Sequence, residues 1–155
     1  MLLKLLRKVF LVKEIVSKKG VVHFQRYRIL QFWLFSIYVH YIAKSDEDKC
    51  PHSHPWNFVS FILSGGYFEY FWENSLFRTL INDSNTPHIK TQKNTYLRFS
   101  FICRKYDDFH KIELLAPTWT LVFTGRRVND NWGYLTETGF KNHIEYRKEK
   151  NAEQI

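Results

Sequence analysis

Short segments rich in β-branched and aromatic residues, separated by polar turns, fill the chain after residue 20 and constrain its fold most strongly. Such residues suit the pleated surface of a sheet, whereas Gly, Asn, Asp, Ser and Pro suit turns. The pattern predicts strands at 21–29, 34–43, 56–63, 67–72, 76–82, 96–103, 109–115, 119–124, 132–135 and 143–147. Many short strands, with no convincing amphipathic helix after residue 20, indicate an all-β fold, either an antiparallel sandwich or a barrel.

Length and composition indicate one folded domain. The 155 residues fit a single core, and an aromatic share of 18% excludes an intrinsically disordered chain. Two cysteines, Cys50 and Cys103, are too few for a disulfide framework and favour a reduced, cytoplasmic protein. We therefore predict a barrel over residues 20–148, preceded by a basic arm or helix at 1–19 and followed by a polar tail at 149–155.

Residues 1–19 hold six Lys or Arg against one Glu, and so carry most of the net charge of +8. Lys4, Arg7 and Lys8 interrupt the apolar residues, so this segment is too charged for a transmembrane helix. A short amphipathic helix and an added edge strand are both compatible with the pattern. A basic arm could contact a polyanion, although a solvated arm packed against the domain is the simpler interpretation.

The segment KCPHSHPW, residues 49–56, places His52 and His54 two positions apart. Each of its two prolines pushes the preceding residue into an extended conformation. In an extended strand, residues i and i+2 face the same side, so the two imidazoles would lie next to each other. Trp56 continues the same parity inward and is a candidate wall of a substrate pocket.

A third histidine lies in FHKIELL, residues 109–115. His110, Ile112 and Leu114 share one strand face, while a lysine and a glutamate alternate on the other. This alternation is typical of a half-buried strand and places His110 on the apolar side. A buried imidazole needs a polar partner, and a metal ion shared with the first two histidines would satisfy it.

The run HSHPWNFVSFILSGGYFEY, residues 52–70, resembles the first motif of the cupin superfamily, in which an H-x-H pair precedes a strand, a glycine turn and a second strand. FHKIELL and WTLVFTGRRVNDNWGY, within residues 109–134, resemble the second half of the cupin barrel, where one further histidine supplies a third ligand. More narrowly, residues 34–146 are similar to small cupin-like proteins of phages and bacteria with an H-x-H-P-W segment. The resemblance implies a double-stranded β-helix, the cupin jelly-roll barrel, with one divalent metal.

The resemblance departs from the cupin pattern at one ligand. Cupins usually add a glutamate three to five positions after the H-x-H pair, but Asn57, Phe58 and Val59 occupy those positions here. What remains is a neutral set of three histidines at positions 52, 54 and 110. Such a set suits Fe, Zn, Ni or Cu and leaves coordination positions open for water or a substrate.

Four further side chains are candidates for binding or catalysis. Glu69 and Tyr134 are candidate proton carriers, with a solvent-exposed position as the alternative for Glu69. His40 is a candidate cavity residue, with a satisfied core histidine as its alternative. Arg126 follows a glycine turn and could bind a substrate carboxylate or phosphate, whereas pairing of a loop arginine with Asp130 or a backbone carbonyl is the structural alternative.

Two functional hypotheses follow. In the first, the chain is a metal-dependent enzyme, an oxygenase acting on a small molecule, with an isomerase or hydrolase as the alternative reaction class. In the second, it is a non-catalytic barrel that binds a ligand or has a structural role, such as a phage accessory protein. A homodimer formed through an edge strand or the amino-terminal arm is a further expectation.

Overall fold

The structure, a computed structural model, describes residues 10–17, 19–46, 50–72, 92–136 and 138–152. Within these residues there are nine strands and one helix: β1 Leu11–Val16, β2 Val22–Gln31, β3 Phe35–Ile42, β4 Phe58–Trp72, β5 Gln92–Leu97, β6 Phe101–Arg104, β7 Phe109–Gly125, β8 Gly133–Thr136, β9 Gly139–Asn142 and α1 His143–Ala152. The strand predicted at 76–82 lies outside the described residues.

The strands form one large antiparallel sheet and one small one. The large sheet has the order β1-β2-β3-β7-β4-β5, with β6 also paired to β4, while β8 and β9 form a separate hairpin. The long strands β4 and β7 pair from Phe58 with Thr124 to Trp72 with Phe109, and so form its spine. The predicted all-β class is confirmed. The core lies under this spine, around Ile62, Tyr67 and Ile102.

Both long strands continue where the sequence predicted a break. Strands predicted at 56–63 and 67–72 are one strand, β4, and those at 109–115 and 119–124 are one strand, β7. The β4–β7 register shifts on both sides of Gly66, and Gly65 has a φ of 80°. These glycines therefore form a β-bulge, which bends β4 without ending it.

The two ends of the chain also differ from a simple barrel with tails. Residues 11–16 form β1, which pairs with β2 as an added edge strand, while residues 1–9 lie outside the described part. The strand predicted at 143–147 is wrong, because α1 occupies these positions and continues past residue 148. The Asn142 side chain accepts a hydrogen bond from the backbone N–H of Ile144 at 2.9 Å, an N-cap that favours the helix. No helix among the described residues is long and apolar enough to cross a membrane.

The bulge in β4 predicts a difference between two glycine substitutions. A Cβ at Gly65 would lie 2.5 Å from the carbonyl oxygen of Pro117, whereas one at Gly20 meets nothing within 4 Å. Both glycines have a positive φ, so backbone strain is common to the two substitutions. We expect Gly65→Ala to lower the free energy of unfolding by about 1–3 kcal/mol more than Gly20→Ala does. Urea denaturation of the two variants measures this difference, and equal losses would contradict it.

Candidate metal centre

The H-x-H segment is attached to β7 by paired backbone hydrogen bonds. The backbone N–H of His52 donates to the carbonyl of His110 at 2.9 Å, and the N–H of His110 donates back to the carbonyl of His52 at 3.0 Å. On the other side, the N–H of Ser53 donates to the carbonyl of Gly133 at 2.9 Å. The segment therefore lies between β7 and β8, and its position relative to His110 is fixed by backbone geometry.

The three predicted histidines lie close together in the structure. One ligand nitrogen from each of His52, His54 and His110 lies within 4.8 Å of the other two, and Nε2 of His54 is 2.7 Å from Nε2 of His110. Imidazole nitrogens bind zinc at about 2.0–2.1 Å. Small side-chain rotations would therefore let all three nitrogens contact one ion. Their role as ligands stays a prediction, but the chemistry of the donor set fits a divalent transition metal.

A buried carboxylate orients the His110 ring by contacting Nδ1, the ring nitrogen that does not contact His54. Glu69 is 1% exposed, and its Oε1 lies 2.6 Å from Nδ1 of His110. Arg104, on β6, donates to both oxygens of Glu69. This arrangement places a proton on Nδ1 of His110 and directs the lone pair of Nε2 toward the other two histidines. The alternative of a solvent-exposed Glu69 is therefore wrong.

Electrostatics favour the protonation states that a metal site needs. Burial alone would raise the pKa of Glu69, but hydrogen bonds and electrostatic attraction from His110 and Arg104 lower it below its usual value. Burial lowers the pKa of His54 well below its usual value, and the neighbouring His110 and His52 lower it further. The Glu69 carboxylate is thus ionised and the His54 imidazole neutral at pH 7, which is the form that binds metals.

A cavity of about 140 Å³ opens beside the three histidines. Most of the exposed wall surface is apolar. Besides the three histidines, the wall contains these polar residues: Arg26, His40, Asp46, Ser60, Thr120 and Thr124. The volume is below the roughly 300–1,000 Å³ of typical ligand pockets, so the cavity suits a small molecule. Apolar walls exclude water and strengthen the electrostatic interactions inside.

Of the candidate substrate-binding residues, two line the cavity and one does not. His40 and Trp56 are part of its wall, and Nε2 of His40 accepts a hydrogen bond from Nε of Arg26 at 2.9 Å. Arg126 is exposed and is not part of the wall. The loop arginine that pairs with Asp130 is Arg127.

Neither candidate proton carrier lines the cavity. Both carboxylate oxygens of Glu69 are engaged by His110 and Arg104. Tyr134 is 8% exposed and stacks on the ring of Tyr146, with the centroids 4.0 Å apart. Their participation in proton transfer stays a prediction.

Local sequence patterns did not identify Arg26 or Arg104 as residues of the site. Arg104 reaches Glu69 because β6 pairs with β4, and no local pattern signals that pairing. Arg26 shares its strand face with Phe24 and Arg28, a mixed composition that is also typical of an exposed strand. Only the cavity beside Arg26 distinguishes a residue of the site from an exposed strand residue.

The environment of His40 predicts a pH dependence of stability. Burial lowers the pKa of His40 well below 6.5, and the charges of Arg26 and Lys13 lower it further. Below about pH 6.5 the unfolded chain binds a proton at this residue and the folded protein does not, so stability is lost as the pH falls. We expect His40→Gln to reduce the loss of unfolding free energy between pH 7 and pH 5.5 by about 1 kcal/mol. Urea unfolding at both pH values measures this, and identical losses in the two proteins would contradict it.

The fold is similar to those of several solved structures. No protein-family model matches the sequence, and no curated protein matches it. Among solved structures, KdgF from Halomonas sp. is similar, with a TM-score of 0.51 and 10% identity over 76% of this chain and 91% of KdgF. A putative mannose-6-phosphate isomerase from Ralstonia eutropha has a TM-score of 0.50 and 9% identity over 74% of this chain and 93% of its own.

A third similar structure is longer. The Fe(II) form of HppE has a TM-score of 0.51 and 8% identity over 72% of this chain, which spans only 55% of the HppE chain. Identities this low establish a shared fold and nothing about activity. The strand-rich architecture and the similarity to these structures agree with the fold that the H-x-H-P-W motif predicted. The chain shares the fold of these three structures, as the cupin resemblance implied.

Proposed function

We propose that this protein is a metal-dependent enzyme that acts on a small molecule, with His52, His54 and His110 holding one divalent transition metal. The observation that carries the proposal is the convergence of three ligand nitrogens within 4.8 Å of one another, beside a cavity. Three neutral imidazoles suit Fe(II), Zn, Ni or Cu. HppE, which shares the fold, is described in an Fe(II) form, and this supports iron as the first metal to test.

Three protein ligands are typical of catalytic rather than structural metal sites, because they leave coordination positions open. When bound, the metal would supply a Lewis acid and, in the case of iron or copper, redox chemistry. The chain's own residues orient the ligands and exclude water. The Glu69–His110 hydrogen bond holds the ligand ring in one orientation, and the apolar walls keep bulk water away from the reacting groups.

An oxygenase is the proposed reaction class, because the candidate proton carriers Glu69 and Tyr134 lie outside the cavity wall. An isomerase or hydrolase needs a protein group that moves a proton at the substrate. Glu69 and Tyr134 do not line the cavity, whereas His40 does and is held neutral by burial. We therefore assign Glu69 as a positioning residue, and His40 becomes the candidate proton carrier for the alternative class.

Metal content tests the proposal directly. We expect the purified full chain to carry about one transition metal ion per chain in elemental analysis, because three ligands and an oriented ring favour tight binding. His52→Ala, His54→Ala and His110→Gln should each lower the content to less than about a tenth. His23→Gln is the matched control, because His23 lies on β2 outside the cluster and should leave the content unchanged.

Absence of a stoichiometric metal from the wild-type protein would remove the enzyme proposal. The non-catalytic ligand-binding barrel would then be the function to test. Equal metal content in the His110 and His23 variants would show that the ion is held elsewhere.

The carboxylate behind His110 gives a second test. Glu69→Gln removes the charge that orients the ring, so we expect metal affinity to fall by about 10–100-fold. Glu113→Gln is the control, because Glu113 is an exposed residue of β7 whose carboxylate bonds the Tyr70 hydroxyl at 2.8 Å. Competition with a metal chelator measures both affinities, with circular dichroism as the check on folding. Unchanged affinity in folded Glu69→Gln protein would remove the positioning role.

A further inference from the structure

Four residues on adjacent strands of the large sheet are paired side by side, and they form a row that runs across the strands next to the metal centre. The register pairs Lys13 with Arg26, Arg26 with His40 and His40 with Thr120. Directly paired residues project from the same face of a sheet. Arg26, His40 and Thr120 all line the cavity that also contains the three histidines. The row therefore gives this apolar cavity a polar wall.

Two positive charges lie next to each other in this row. Nζ of Lys13 and Cζ of Arg26 lie 5.8 and 5.7 Å from the centre of the same ring, Phe24. Among the described residues, no carboxylate forms an ion pair with either cation. Glu14, the acid next to Lys13 in the chain, accepts a hydrogen bond from Gln25 instead, at 2.5 Å. Like charges that are paired across neighbouring strands destabilise a sheet, so this arrangement needs a reason.

The row also contains unused hydrogen-bonding capacity. Nε of Arg26 donates to His40, but neither Nη1 nor Nη2 bonds to a residue in the described part of the chain. The Thr120 side chain is 1% exposed, and its hydroxyl is the one buried side-chain polar atom that lacks a partner among the described residues. Buried polar groups are nearly always hydrogen-bonded, so the buried Thr120 hydroxyl indicates a missing partner in the cavity. The two Nη groups of the half-buried Arg26 are available to the same partner.

Aromatic rings hold the Arg26 guanidinium without using these donors. Its Cζ lies 5.1 Å from the ring centre of Tyr38 and 5.8 Å from that of Trp56. Contacts with ring faces leave the N–H groups of the guanidinium plane free to bind a ligand. The one carboxylate in the cavity wall, Asp46, accepts a hydrogen bond from the N–H of Ile112 at 2.8 Å and lies near His52. It therefore belongs to the histidine end of the cavity.

We propose that Arg26, together with the Thr120 hydroxyl, binds the oxyanion of a small carboxylate or phosphate substrate in the cavity beside the three histidines. The inference rests on the proposed function, since it names the substrate class of that enzyme. Carboxylates and phosphates both present paired oxygens that match the two-pronged guanidinium. The anion would also neutralise the repulsion between Lys13 and Arg26. The sequence makes Arg126 a candidate for this role, and we place the role on Arg26 instead.

Calorimetric titration of the full chain tests this proposal. The probes are sodium phosphate, sodium acetate and acetamide, the last being a neutral molecule of the same shape as acetate, at constant ionic strength. We expect at least one of the two anions to bind and acetamide not to bind. Arg26→Gln should weaken anion binding by about tenfold or more, since it removes a charge-assisted pair. Arg28→Gln, an exposed arginine on the same strand, should change it by less than about twofold.

Two further variants keep the test informative if Arg26→Gln folds poorly. Arg26→Lys keeps the charge but loses the two-pronged geometry, so we expect intermediate affinity. Thr120→Val preserves the side-chain shape and removes the unpartnered hydroxyl, so the melting temperature should rise while anion affinity falls by about threefold. Anion affinity in folded Arg26 variants equal to that of the wild type would overturn the proposal. Binding of acetamide as tight as that of acetate, or binding of neither anion, would also overturn it.

Metal analysis of the same samples separates this inference from the proposed function. Anion binding that persists in metal-depleted His110→Gln protein and is lost in Arg26→Gln protein places the anion on Arg26 rather than on the metal. A wild-type protein without metal that still needs Arg26 to bind anions would remove the enzyme proposal and leave the anion site. Full metal content with unchanged anion binding in Arg26→Gln protein would remove the anion site alone.

Discussion

The pair of backbone hydrogen bonds between His52 and His110 is the interaction on which the site depends. It joins a short extended segment to one end of the spine formed by β4 and β7, across 58 positions of sequence. Because these bonds use backbone atoms, they fix the segment without consuming either imidazole. The third ring, of His54, then reaches the same point because it is two residues away on an extended chain.

The cavity has two chemically different ends. At one end, the ionised Glu69 and the partly buried Arg104 orient a cluster of imidazoles, which is an arrangement suited to a cation. At the other end, Arg26 lines the cavity next to Lys13, which lies outside the wall, and neither cation has a carboxylate partner among the described residues. This arrangement is suited to an anion. A molecule that carries an anionic group and also contacts a metal would complement both ends within about 140 Å³.

Local patterns in the sequence predicted the features that depend on strand parity and chain stiffness. The prolines around His52 and His54 and the alternation around His110 are local, so the all-β class and the convergence of the three rings could be anticipated. The burial of Glu69 and the position of Arg26 could not, because they depend on which strands become neighbours. The capped helix α1 was missed because ten residues of mixed polarity resemble an exposed strand as closely as a short helix.

The central claim is that three histidines distant in sequence share one ion. Anomalous diffraction from crystals of the protein as purified, with data collected on both sides of the absorption edges of iron, nickel, copper and zinc, tests it most directly. We expect a single anomalous peak beside the three rings, at about 2.0–2.2 Å from one nitrogen of each. A map with no peak there, and with Nε2 of His54 still hydrogen-bonded to Nε2 of His110, would contradict it.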